Sequence, residues 1–201
     1  MLFRSFSIER NYIKFTVSNK GTNEAISLSN AGGGNDPFVE MTDGVVRQNN
    51  CEGSGMQIDG VRMLAADNVV HSFKFGGGIT VLITCVDSTI SRNTVCGGVG
   101  QDDNITWCHG IEHWGKRCVI TDNVCFDNAG NGIVLAAMDC VVANNVCYNN
   151  GTGASHDRSG IELLYQNSSA NCASSVITGN RCFDTRSGSS KTQVYGIEDD
   201  S

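Results

Sequence analysis

The stretch CVITDNVCFDNAGNGIVL at residues 118–135 decides the fold, because CVVANNVCYNN at 140–150 repeats its first part 22 residues later. Extending this similarity in both directions gives a template: an apolar residue, two further residues, an asparagine, one residue, and a small apolar residue. The template occurs seven times along the chain. Its asparagines are Asn11, Asn49, Asn68, Asn93, Asn123, Asn145 and Asn180.

A second marker, Gly-Ile-x-Leu or a close variant, follows each copy of the template. It lies at 25–28, 55–58, 78–81, 110–113, 132–135, 160–163 and 196–199. Strands this short cannot bury their inner face alone, whereas stacked coils form one continuous core. The alternating markers therefore predict a solenoid of about seven coils.

The asparagine of each template is expected at a tight bend between two strands, in the left-handed conformation that asparagine tolerates. Stacked about 4.8 Å apart, such side chains can form a hydrogen-bonded ladder. The cysteine two residues later, as in Cys125 and Cys147, is expected to point inward. The chain has ten cysteines and no CxxC pair, which favours reduced core thiols over disulfides or a zinc site.

These two markers resemble those of the right-handed parallel β-helix family, which includes pectate-lyase-like enzymes, phage tailspikes and NosD-type repeat proteins. The resemblance implies an all-β, single-stranded parallel β-helix over residues 1–201, with 132–136 as a first strand, 118–121 as a second and 124–126 as a third. No capping helix is recognisable, so we expect this single domain to be a fragment of a longer chain or to be capped by another chain. The scaffold hosts lyases, hydrolases, epimerases and inert adhesive spikes, so it does not by itself define an activity.

The amino-acid composition limits the kinds of partner that this chain is expected to have. The net charge is −7 and no basic stripe occurs, which argues against a nucleic-acid partner. No apolar run reaches the roughly 18–20 residues of a membrane span, so membrane insertion is not expected. The first residues, MLFRSFSIERNYIKF, lack the apolar block of a signal peptide. We therefore expect synthesis in a reducing cytoplasm and, from the resemblance, a final location in a virion tail or at a cell surface.

The candidate site lies on the outer face of the Gly-Ile-x-Leu strands. Its x positions are Ser27, Gln57, Thr80, Glu112, Val134, Glu162 and Glu198. We predict Glu112, Glu162 and Glu198 as catalytic residues. Long loops at 97–109, 148–159 and 183–195 border this face. The predicted substrate-binding residues are Trp114, His109, Arg158, Tyr165 and Trp107.

Two histidines of this region receive different interpretations. His109 precedes a strand glycine and is expected to be exposed, where it can contact substrate. His113 occupies an inward slot of its strand and is expected to be a core residue.

Carboxyl spacing suggests a chemistry. Glu112 and Glu162 lie two coils apart, or roughly 9–10 Å, whereas Glu162 and Glu198 are neighbours at about 4.8 Å. Inverting glycosidases hold their carboxyls about 6.5–9.5 Å apart and retaining ones about 5–5.5 Å, so either mechanism can be drawn. Two adjacent glutamates repel each other, which leaves one protonated as a general acid. Trp114 would stack on a sugar ring.

The leading prediction is a polysaccharide-degrading, glycosidase-type protein similar to phage tailspikes. The alternatives are a structural or adhesive solenoid, such as a segment of a homotrimeric spike, that binds a surface glycan without cleaving it, and a face that is only solvated. A lyase or epimerase would need a base together with a cation, and only Arg158 is placed to help. No cofactor is expected. The pairs Asp102–Asp103 and Asp199–Asp200 give a weak indication of calcium.

Overall fold

The computed structural model describes residues 3–14, 25–28, 41–74, 76–99, 108–153, 158–165 and 171–200. Its strands form three parallel sheets of seven strands each. Every coil contributes one strand to each of the three sheets in turn, and the pattern repeats seven times. None of the described residues lies in an α-helix. The predicted parallel β-helix of seven coils is confirmed.

The strands are short and regular. The first sheet contains β4 (Ile26–Ser27), β8 (Met56–Ile58), β11 (Ile79–Val81), β14 (Ile111–His113), β17 (Ile133–Leu135), β20 (Arg158–Leu164) and β23 (Gln193–Asp200). The second contains β2 (Ser7–Glu9), β6 (Val45–Arg47), β9 (Leu64–Ala66), β12 (Thr89–Ser91), β15 (Val119–Thr121), β18 (Val141–Ala143) and β21 (Val176–Thr178). The third contains β3 (Tyr12–Lys14), β7 (Asn50–Glu52), β10 (Val69–His71), β13 (Thr94–Cys96), β16 (Val124–Phe126), β19 (Val146–Tyr148) and β22 (Arg181–Phe183). The pair β1 (Phe3–Arg4) and β5 (Met41–Thr42) stands apart, and Gly188–Ser190 forms a 3₁₀ turn.

The seven template asparagines form one continuous ladder at the corner between the second and third sheets. In each step an amide Nδ2 donates to the Oδ1 of the next coil, at 2.9–3.0 Å. The same Nδ2 also donates to a main-chain carbonyl, as from Asn93 to Ala65 at 3.0 Å. The side chains thereby satisfy buried backbone groups that a tight bend leaves without strand partners.

The left-handed residue of this corner is not the asparagine, so that expectation was wrong. Positive φ belongs to the residue before it, as in Asp67 (56°), Arg92 (52°) and Asp122 (57°). The asparagine needs a backbone that directs its amide inward, toward both neighbouring coils. The preceding residue points toward solvent, where Arg92 forms an ion pair with Asp67 at 2.7 Å.

The interior combines isoleucine, valine and thiol columns. Cys125, Cys147 and Cys182 are in register on the inner side of the third sheet. All ten cysteines are free thiols in the structure, and eight of them are buried. The column explains the strand glycines: a Cβ on Gly132 would lie 2.9 Å from the Cβ of Cys147 and 2.5 Å from the carbonyl of Gly160. Within the described residues, no helix combines the length and apolarity that a bilayer span requires.

Candidate functional site

The three predicted glutamates lie in one column on the outer face of the first sheet. Strand register pairs Glu112 with Val134, Val134 with Glu162, and Glu162 with Glu198. Each glutamate is half-buried. The sequence spacing thus predicted the relative positions of all three correctly. Glu112 lies two coils from Glu162, and Glu198 lies directly beside Glu162.

The column is interrupted where the sequence suggested an open wall. Val134 is only 2% exposed and its outward neighbour Ala136 only 1%. β17 is therefore covered on both faces, unlike a solvated outer strand. This apolar step separates Glu112 from the Glu162–Glu198 pair, so the three carboxyls do not share one open groove floor.

Glu112 is held in a tight enclosure. The indole Nε1 of Trp114 donates to its Oε1 at 3.1 Å. Burial raises the pKa of Glu112, while the bonds from Trp114 and from the main chain of Gly77 act in the opposite direction. Gly77 is suited to this place, because a Cβ there would come within 3.0 Å of the Cβ of Glu112. Trp114 thus contacts a carboxylate, and its predicted role as a sugar platform stays a prediction.

Glu162 and Glu198 form the more accessible pair, and each is bonded to a buried polar residue. The side-chain amide of Asn131 donates to Oε2 of Glu162, and the hydroxyl of Ser159 donates to Oε2 of Glu198. Burial raises the pKa of Glu162, and the charges of Glu198 and Asp200 raise it further. Such an environment favours a carboxyl that keeps its proton longer than usual.

The expected exposure of His109 is wrong. Its side chain is 6% exposed, and its Nδ1 accepts a hydrogen bond from the main-chain N–H of Asn131 at 3.0 Å. Burial, together with the charge of Arg158, lowers the pKa of His109 to about 3. The buried imidazole supports the loop beneath the site, and its role in substrate binding stays a prediction. His113 is fully buried, as expected of a core histidine.

The remaining predicted binding residues lie at the borders of the pair. Arg158 begins β20, is half-buried, and its charge lowers the pKa of Glu162 against the larger effect of burial. Tyr165 follows the same strand and is 53% exposed. Trp107 falls outside the described residues. The roles of these three in substrate binding stay predictions.

Sequence reasoning missed Asn131 and Ser159. Both occupy the position directly before a strand glycine, as His109 does, and both are almost completely buried. The signal was present, because three polar residues recur at that position in successive coils. The alternation of the strands does not reveal it, because these residues precede the Gly-Ile-x-Leu marker.

Among the described residues no candidate metal site is found, and a cavity lies away from the three glutamates. No group of three or more His, Cys, Asp or Glu residues there could hold a metal ion. Of the two acidic pairs proposed for calcium, Asp102–Asp103 lies outside the described residues. A cavity of about 380 Å³ adjoins β22 and β23, and none of the three glutamates lines it. Its lining residues are Cys182, Phe183, Asp184, Lys191, Gln193, Val194, Tyr195 and Gly196.

Comparison with known proteins places the fold. No family model and no curated protein matches the chain. The enzymatically active domain of bacteriophage CBA120 tailspike protein 2 is similar over 98% of this chain and 36% of its own, with 11% identity and a TM-score of 0.64. The Dettilon tailspike protein is similar over 81% and 38%, with 19% identity and a TM-score of 0.57. Pectate lyase Pel9A is similar over 89% and 53%, with 11% identity and a TM-score of 0.52.

These comparisons and the three seven-stranded sheets define the class: the chain is a right-handed parallel β-helix of the kind found in tailspikes and pectate lyase. At these identities the likeness concerns the fold alone. The chain spans little more than a third of the length of the two tailspike structures.

Proposed function

We propose that the chain is a carbohydrate-active β-helix that hydrolyses a polysaccharide through Glu162 and Glu198. The observation that carries this proposal is the direct register of these two glutamates on neighbouring strands of the outer first-sheet face. Neighbouring strands lie about 4.8 Å apart, close to the roughly 5–5.5 Å between the carboxyls of retaining glycosidases. The tailspike and pectate lyase neighbours make a glycan a reasonable ligand class for such a face.

The two carboxyls take different roles. Glu162, whose pKa is raised by burial and by Glu198, protonates the glycosidic oxygen as the sugar bond breaks. Glu198 attacks the anomeric carbon as a carboxylate and forms a glycosyl ester. Water, deprotonated by Glu162, then releases the sugar and restores both groups. We propose no metal or cofactor, because the two carboxyls supply the acid, the nucleophile and the base.

The charge of the site favours a neutral glycan. Asp199 and Asp200 follow Glu198 directly, so the end of the column is rich in carboxylates. A uronate would bring a further negative charge to this surface, and Arg158 is the one predicted site residue that could offset it. A lyase or epimerase reaction is therefore the weaker enzyme proposal.

A non-catalytic adhesive spike is the second candidate. Phe126, Tyr148 and Phe183 stack on the outer side of the third sheet, with ring centroids 4.9 and 5.2 Å apart. An outward aromatic column is the kind of surface that protein contacts bury, and a homotrimer is the assembly we propose for it. A virion tail or a cell surface is the location we propose for either candidate, with synthesis in a reducing cytoplasm.

Incubation with host surface glycans, followed by analysis of released oligosaccharides, tests the proposal. Glu162→Gln and Glu198→Gln should each lower the hydrolysis rate at least about 100-fold. Glu112→Gln is the matched control, because that glutamate lies beyond Val134 and should leave most activity intact.

Other results would redirect the assignment. If the Glu162 and Glu198 variants are as active as wild type, these two glutamates are not the catalytic pair. Binding on a glycan array with no product formed would favour the adhesive spike, and a rise in absorbance from an unsaturated sugar would favour a lyase.

A further inference from the structure

A buried polar shelf underlies the glutamate pair, formed by Asn131 and Ser159. The two residues precede the strand glycines of adjacent coils and are 1% and 0% exposed. Each sends one side-chain donor outward, Asn131 to Glu162 and Ser159 to Glu198. They also bind each other, because the main-chain N–H of Ser159 donates to Oδ1 of Asn131 at 2.8 Å.

The orientation of the Asn131 amide is fixed from within the coil. Its Oδ1 must accept from the Ser159 N–H, so its Nδ2 is left to face Glu162 as a donor. A flip of the amide would break the inner bond and place an oxygen against the carboxyl of Glu162. The main-chain N–H of Asn131 is held in turn by His109 at 3.0 Å. Three coils thereby act together on one carboxyl orientation.

We propose that Asn131 and Ser159 are positioning residues that hold Glu162 as the acid and Glu198 as the nucleophile of the pair. Asn131 holds Oε2 of Glu162 as an acceptor, which directs the acidic proton to the other carboxyl oxygen. Its bond lowers the pKa of Glu162 against the larger, raising effect of burial, so Asn131 acts by orienting the carboxyl. The Ser159 hydroxyl donates to Glu198, a bond that strengthens when its acceptor is ionised. This inference rests on the proposed hydrolysis for its catalytic meaning, although the contacts can be tested without it.

Several charged groups face Glu162 and must be counted in the test. Glu198 and Asp200 come from β23 and Arg158 from β20, while Asn131 approaches from the turn before β17. Glu112 is two coils away. Removing the Asn131 donor therefore leaves Glu162 with two acidic neighbours and one cation.

Asn131→Asp is the sharpest change, because it keeps the shape and the oxygen that accepts from Ser159 but replaces the outward donor with an acceptor. Two carboxyls in contact cannot both ionise at little cost, so the pKa of Glu162 should rise by about one unit. Carbon-13 NMR of labelled glutamate carboxyls measures this directly in the folded chain. The alkaline limb of the kcat/KM profile should move upward by the same amount.

Ser159→Ala supplies an independent variant in case Asn131→Asp fails to fold. It keeps the main-chain bond to Asn131 and removes only the hydroxyl, so kcat should fall about tenfold while KM changes little. Ser88→Ala is the matched control. Ser88 is also buried, at 2% exposure, but its hydroxyl donates to the carbonyl of Val86 far from the pair, and its kinetics should equal wild type.

The outcomes separate the two ideas. A Glu162 titration that is unchanged by Asn131→Asp, or a Ser159→Ala enzyme with wild-type kcat, would overturn the positioning roles. If wild-type protein cleaves no glycan, the proposed hydrolysis fails. The Glu162 titration still decides in that case whether Asn131 controls its carboxyl.

Discussion

Two regions of the same seven coils follow opposite rules. The corner between the second and third sheets repeats one residue, asparagine, in every coil. The outer face of the first sheet varies along the stack, from Thr80 to Glu112, Val134, Glu162 and Glu198. Repetition marks positions where each coil must bind its neighbour in the same way. A change of residue type at an equivalent position indicates a local task, and the carboxyls lie on this variable face.

Breaking the ladder should produce the largest effect. Asn93→Ala removes the donors to Ala65 and Asn123 and the acceptor used by Asn68, all in a fully buried corner. Because buried groups then lack partners, the free energy of unfolding in urea should fall by more than about 3 kcal/mol. Asn11→Ala is the control at the exposed end of the ladder, where the loss should stay below about 1 kcal/mol. Similar losses in both variants would contradict a cooperative ladder.

On the inner side of the first sheet, as at the asparagine corner, each coil packs against its neighbour in the same way. Substitutions there should therefore cost stability. Gly132→Ala places a methyl group 2.9 Å from the Cβ of Cys147 and 2.5 Å from the Gly160 carbonyl. Overpacking of this kind should cost about 1–3 kcal/mol in urea unfolding. Gly196→Ala tests the same column where the nearest atom, the Cβ of Cys182, is 3.7 Å away. It should be nearly neutral, and an equal cost would show that backbone freedom rather than space selects glycine.

On the outer face of the first sheet, a functional group should lower the stability of the fold. The pKa of Glu162 is raised in the folded state, so its ionised form opposes folding at neutral pH. The stability it contributes is present below the ordinary carboxyl pKa and lost as pH rises through the higher folded value. Glu162→Gln should therefore raise Tm at pH 7 by up to about 4 °C, and the gain should disappear near pH 4.

A control of opposite sign sharpens this prediction. The pKa of Glu52 is lowered by its bonds to Lys14 and Tyr12, so Glu52→Gln should lower Tm slightly at pH 7 and have no effect in strong acid. Calorimetry across pH 3–8 measures both variants. A lower Tm for Glu162→Gln at neutral pH would show that this glutamate stabilises the fold and is not held for chemistry.

Sequence spacing was sufficient for the coils, the ladder and the glutamate register because each depends on the next coil repeating the last. It was insufficient for features set by the return loops, whose lengths vary. The burial of His109 and the Asn131–Ser159 shelf arise where those loops meet the strands. The cover over Val134 likewise does not follow from an alternating strand pattern. The left-handed residue was assigned one position too late, because asparagine tolerates that conformation but is needed here for its inward amide.

The smallest effect on stability should come from the residue next to Asn93, where the largest effect is expected. Arg92 precedes Asn93, has a φ of 52°, and bonds to Asp67 at 2.7 Å on the surface. Arg92→Gly loses an exposed ion pair that solvent screens but relieves the strain of a left-handed backbone. The free energy of unfolding in urea should therefore change little. Arg92→Ala, which keeps the strain, should be the less stable variant, and 1 M salt should remove the ion-pair part of both losses. A cost for Arg92→Gly that matches Asn93→Ala would mean that the solvent-facing charges, and not the buried amides, hold this corner together.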